Sequence, residues 1–114
     1  MIAVIFEFTP APGRFDEYMA LAAQLRPELE KAEGFISIER FESLATPGKY
    51  VSISFWRDEE CVRRWRNVSL HREAQKKGRA GIFSGYRLRV AQVLRDYGMD
   101  ERAQVPADSA AVHG

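Results

Sequence analysis

The stretch Phe55-Trp-Arg-Asp-Glu-Glu-Cys-Val-Arg-Arg-Trp-Arg-Asn-Val-Ser-Leu-His-Arg-Glu-Ala-Gln75 passes from a strand into a helix, and that change of period decides the fold. Phe55-Trp56 closes an alternating run, Tyr50-Val-Ser-Ile-Ser-Phe-Trp56. In it Val51, Ile53 and Phe55 share one side, and Tyr50, Ser52, Ser54 and Trp56 the other. Asp58 stands where an N-cap is needed, with Glu59 and Glu60 in the first turn, where the helix dipole favours negative charge. Cys61, Val62, Trp65 and Val68 recur at three and four residues, so one helical face is expected to bury. Asn67-Val-Ser69 sets three residues of low helix propensity in a row and predicts a bend or break. A break would turn Trp65 and His71 toward a common space, whereas on a straight helix six residues set them roughly 120° apart.

Outward from this stretch, the N-terminal side supplies two more strands and a helix. Met1-Ile-Ala-Val-Ile-Phe-Glu-Phe8 is rich in β-branched and aromatic residues, and Pro10-Ala-Pro-Gly13 closes it. Ile2, Val4, Phe6 and Phe8 share one face, and Ala3, Ile5 and Glu7 the other. Phe15, Tyr18, Met19, Ala22, Leu25 and Leu29 follow at helical spacing. Pro27 removes the bond to the carbonyl of Ala23 and predicts a kink or break in the last turns. Gly34 ends that helix, Phe35–Glu42 alternates as a strand, and Ser43–Gly48 turns it back to pair with Tyr50–Trp56. On the C-terminal side, Lys76–Gly81 reads as a loop, Ile82 and Phe83 as a short turn, and Gly85–Tyr97 as the last strand. Residues 98–114 lack periodicity and read as a loose tail beyond a domain spanning 1–97.

The order strand, helix, strand, strand, helix, strand predicts an α+β, ferredoxin-like βαββαβ domain with a four-stranded antiparallel sheet. Two helices cover one face of such a sheet, yet the strands carry apolar residues on both. The economical cover for the second face is another copy, sheet on sheet, in a homodimer.

Composition narrows the partners. Over 114 residues, 17 Lys and Arg stand against 16 Asp and Glu, so nothing in the charge calls for nucleic acid or an anionic membrane. The local cluster Arg63, Arg64, Arg66, Arg72, Lys76, Lys77 and Arg79 reads as a solvated helix face. No apolar run approaches the roughly 20 residues that span a bilayer, and the start lacks a signal-peptide pattern, so a cytoplasmic location is the default. Cys61 is the one cysteine and cannot form an internal disulfide. No pair of histidines and no acidic cluster has metal-ligand spacing, and no glycine-rich phosphate loop follows a strand.

The element order, the Pro-Gly before the first helix, Gly34-Phe35, and the succession Phe55-Trp56-Arg-Asp-Glu-Glu, Trp65, His71-Arg-Glu-Ala-Gln75 and Tyr86 together resemble the antibiotic biosynthesis monooxygenase superfamily of dimeric α+β barrels over roughly residues 2–97. The resemblance implies a monooxygenase that needs no bound cofactor and oxidises a small aromatic, quinol-like or other hydrophobic molecule with dioxygen. It implies a base near neutrality, for which His71 is the candidate, and an aromatic wall at Trp65. Asn67, Tyr86 or Arg64 would stabilise a developing oxyanion, and Trp56, Phe41, Tyr50, Phe83 and Tyr86 would line the substrate pocket. Each has a plainer reading: the aromatics serve equally as core, Tyr86 as a structural hydrogen-bonder, and His71 as a surface residue.

The superfamily also holds heme-degrading enzymes, whose axial histidine falls here at Gln75 and whose first-strand asparagine falls at Glu7. Trp65 alone matches them, leaving His71 as the one ligand that could rescue a heme reading. A non-catalytic dimer binding a small hydrophobic ligand is the alternative from another class.

Overall fold

A computed structural model describes residues 1–75 and 81–113, with side chains described except at 69–75 and 113. β-Branched and aromatic residues put Ile2–Pro10 (β1) at the centre of the sheet, hydrogen-bonded on both edges. Phe15–Lys31 (α1) follows, then the hairpin Phe35–Glu42 (β2) and Tyr50–Trp56 (β3), then Glu59–Gln75 (α2) and Phe83–Gln92 (β4). The strand order is β2-β3-β1-β4, all antiparallel, which is the ferredoxin-like arrangement the element order predicts.

Register sorts the side chains into rows across one face. Arg40, Ser52, Phe6 and Leu88 lie opposite one another in turn, and Ile38, Ser54, Val4 and Val90 form the next row. This face meets the helices at two places. Ile2, Leu29, Trp56, Cys61 and Val62 form one buried cluster, with Trp65 and Phe35 packed against it. Phe8, Tyr18 and Ile82 form the other, joined by Phe6, Tyr50 and Phe83. Beyond them, Leu88 and Val90 on edge strand β4 stay 52% and 44% exposed, so the helices do not close over that edge.

The opposite face carries Ala3, Ile5 and Glu7 with Val51, Ile53 and Phe55, none of which belongs to either cluster. Ile36 and Phe41 of β2 are exposed.

Four expectations are corrected. Helix α1 runs unbroken through Pro27, because Leu29, two residues on, is 6% exposed and its packing holds the last turn. Helix α2 runs unbroken through Asn67-Val-Ser69: low propensity costs only about 0.5 kcal/mol per residue, too little to break a helix anchored by Cys61 and Val62. The last strand starts at Phe83 and ends at Gln92, the partner of Ile2, with one further bond from the Val93 N–H to the Met1 carbonyl at 3.0 Å. The segment read as loose carries a short helix, Ala107–His113 (α3). Apart from Gly81, the loop expected over 76–81 lies outside the described residues.

Gly34 is required where α1 gives way to β2. Its φ of +78° is a conformation that L side chains rarely adopt, and a Cβ there would lie 2.4 Å from Cys61 Sγ. The Gly34 carbonyl accepts from the Arg57 N–H at 2.8 Å, so this close approach locks the start of β2 to the start of α2.

Candidate active site

Asp58 fixes where α2 begins. The Cys61 N–H donates to Asp58 Oδ1 at 2.9 Å, the N-cap bond that the sequence predicts. That bond, a further one from Cys61 and the neighbouring Arg57 hold the Asp58 carboxyl at about 2, below its usual 3.8. A depressed carboxyl stabilises the fold above its unfolded value, and the contribution is lost as pH falls through the folded one. Asp58→Asn keeps a capping oxygen without the charge. The melting temperature of the wild-type protein is therefore expected to exceed that of Asp58→Asn at neutral pH, and the gap to close as pH falls from 3.8 to about 2. A gap that stays constant across that range contradicts the assignment.

The first two turns of α2 then face the end of α1 across a groove of about 350 Å³. Its walls are Ala32, Cys61, Trp65 and Val68, and its rim carries Glu28, Lys31, Glu33 and Arg64. Its floor is thus apolar and its rim charged. Val68, expected to bury, is 44% exposed and opens onto the groove. Cys61 is 1% exposed, and its burial pushes the thiol up against the opposing pull of Arg57, whose Nη2 lies 3.2 Å from Sγ. A thiol held protonated in this way packs as an apolar side chain. The rim is tied by ion pairs: Arg64 reaches Glu33 and Glu60, and Arg57 reaches Glu33 at 3.3 Å and Asp58 at 3.1 Å.

The sequence candidates separate into groups. Trp65 is half-buried, with its ring centroid 6.3 Å from that of Trp56. Trp56 is 1% exposed and its Nε1 donates to Ser54 Oγ at 3.0 Å, so it is core and has no surface left to meet a ligand. Tyr50, Phe83 and Tyr86 lie at the other end of the sheet. Tyr50 stacks on Phe8 and Phe15 at 5.7 and 4.8 Å, and Phe83 meets Tyr86 at 6.1 Å, with Tyr86 itself 70% exposed.

Phe41 lies opposite Val51, on the face turned away from the helices. Asn67 is exposed, two residues from Trp65, a spacing at which helical side chains do not face each other. Arg64 already meets two carboxylates. His71 lies within α2, but its side chain is outside the described residues.

Glu7, the position matched to the asparagine of heme-degrading members, also faces away from the helices, within 3.8 Å of Lys49 and 3.2 Å of Arg89. Among the described residues, no group of three His, Cys, Asp or Glu side chains could hold a metal ion, and no helix is long and apolar enough to cross a membrane.

The sequence profile described as antibiotic biosynthesis monooxygenase matches residues 1–77. A protein of Pyricularia oryzae named jasmonate monooxygenase is 48% identical over 105 residues, which is 92% of this chain and 49% of that protein. The chain spans about half the length of the relatives it matches. The fold is shared with SnoaB, a cofactor-independent oxygenase of Streptomyces nogalater, at TM-score 0.64 and 16% identity over 83% of this chain and 94% of that one. It is shared equally with the heme-degrader MhuD of Mycobacterium tuberculosis, at TM-score 0.61 and 18% identity over 86% of this chain and all of that one. At such identities the likeness is one of fold and does not choose between their chemistries.

Proposed function

Because the chain belongs to the antibiotic biosynthesis monooxygenase family, we propose that it oxidises a small, largely apolar acid of the jasmonate class with dioxygen, without a bound cofactor, in the groove beside Trp65. The observation that carries this reading is the 48% identity, over nearly the whole chain, to a protein named for that reaction. In it Trp65 is an aromatic wall and His71 is the base. On the continuous helix, position 71 falls two turns beyond Arg64 of the rim and roughly 120° round from Trp65, so the base would act from the rim side of the groove.

The chemistry needs few parts. A base takes a proton from the substrate, the anion passes an electron to dioxygen, and recombination leaves a hydroperoxide. An anthrone-like hydroperoxide loses water to give a quinone, so such a substrate supplies all the electrons itself. A substrate that cannot lose water in this way yields an alcohol and water only if a soluble reductant adds two electrons and two protons. Oxygen uptake with jasmonate and with an anthrone, each with and without ascorbate, tests the reading. Uptake above the no-enzyme rate with jasmonate and ascorbate is expected, and none with either substrate overturns it.

We also propose a homodimer joined through the sheet face that the helices leave open. Apolar Ile5, Ile53 and Phe55 at its centre support this arrangement. Size-exclusion chromatography with light scattering should give twice the 13.0 kDa of the chain, and Ile53→Asp should give the monomer, since a charge at that centre has no partner. A wild-type monomer, or a variant that stays dimeric, contradicts this.

A further inference from the structure

Arg40 has the setting of an anion receptor. It lies on the helix-facing side of β2, half-buried, and its Nε donates to the Tyr18 hydroxyl at 3.0 Å. Its guanidinium carbon sits 5.7 Å from the centre of the Tyr18 ring. Arg14, Arg26, Arg57, Arg63, Arg64 and Arg89 each meet a carboxylate, whereas no described carboxylate pairs with Arg40. Its terminal nitrogens are thus left as a fork of N–H donors, the shape that holds a carboxylate.

Two hydroxyls stand beside that fork. The Tyr18 oxygen accepts from Arg40, which leaves its own proton free to donate. Ser52, directly opposite Arg40 on β3 and 7% exposed, makes no hydrogen bond among the described residues. Tyr18 packs its ring on Phe8 at 4.5 Å and on Phe83 at 5.5 Å, so the charge sits at the margin of an apolar aromatic surface. Along β3, Ser52 and Trp56 are four residues apart, about 13 Å, and Trp65 lies against Trp56. The cation and the Trp65 groove thus stand toward opposite ends of the helix-facing side, with Trp56 buried between them.

We infer that Arg40, with the hydroxyls of Tyr18 and Ser52, is the anchor for the substrate's carboxylate, so that the protein selects small acids over their esters. The inference rests on the proposed reaction for the identity of the acid, and it concerns binding alone.

Calorimetric titration of the full chain with jasmonate and with its methyl ester, in wild-type, Arg40→Gln and Tyr18→Phe proteins, tests it. Wild-type protein should bind the acid more tightly than the ester. Arg40→Gln should weaken the acid about tenfold to a hundredfold and leave the ester unchanged. Tyr18→Phe, which removes one hydroxyl and keeps the ring, should weaken the acid alone by a smaller factor. Equal losses for acid and ester, no loss for the acid, or a wild-type protein that binds neither overturns the inference. Binding with this selectivity but without oxygen uptake leaves the anchor standing and sinks the oxidation; uptake with both compounds alike does the reverse.

Discussion

Gly34→Ala is expected to lower the melting temperature by about 12 °C, from a loss of about 3 kcal/mol. Two effects add. The residue sits at φ +78°, where a Cβ is strained whatever the space around it. That Cβ would also lie 2.4 Å from Sγ and 2.9 Å from Cβ of Cys61, with Arg57 Cβ at 3.3 Å. None of these is the free end of a long side chain, because Cys61 is held in the core between Leu29 and Trp56. Either the start of β2 or the first turn of α2 must move, and the second movement opens the floor of the groove. The two contributions separate in a double mutant with Cys61→Ala, which removes Sγ. That pair should recover part of the loss and leave the backbone strain. A Gly34→Ala protein that melts within a degree or two of the wild type would show that the close approach is wrong.

His71→Ala is expected to lower kcat/KM by about a hundredfold to ten-thousandfold, the usual worth of a positioned base, while substrate affinity changes little. A base is useful only when unprotonated, so wild-type activity should rise with pH and then level off. The variant should lose that rise along with the rate. Trp65→Ala should do the opposite, raising KM more than it lowers kcat, because it removes a wall and not the proton acceptor. If His71→Ala keeps most of the wild-type rate, position 71 is a surface residue and the proton goes elsewhere.

The fold was legible because its signals are periodic and local. The alternation in Tyr50–Trp56, the capping Asp58 and the heptad-like recurrence of Cys61, Val62 and Trp65 each specify an element without reference to the rest of the chain. Breaks in helices were read too strongly, at Pro27 and at Asn67-Val-Ser69, since local propensity loses to buried anchors, Leu29 in α1 and Cys61 and Val62 in α2. The end of β4 is not marked in Val93-Leu-Arg-Asp-Tyr97: its pairing with β1 stops at Gln92 and Ile2, which no local pattern shows.

The candidate site was legible only in part: the spacing of Trp65 marks the helical face that lines the groove, whereas the sheet face of Phe41, opposite Val51, is known only once register is known. Arg40 and Tyr18, the proposed anchor, carry no local signal for the same reason. In Phe35-Ile-Ser-Ile-Glu-Arg-Phe-Glu42 the alternation is interrupted by an irregularity between Phe35 and Ser37, which hides that the arginine points toward the helices. The acidic and basic rim of the groove comes from two helices far apart in sequence, and no local pattern marks it.

The proposed reaction places one oxygen atom from dioxygen into a small acid. Mass spectrometry of the product after incubation with jasmonate, ascorbate and isotopically labelled dioxygen tests it most directly. A product carrying one heavy oxygen atom, formed by the wild-type protein and at most a hundredth as fast by His71→Ala, is the expected result. A product without the label, or one formed equally by heat-denatured protein, would contradict it.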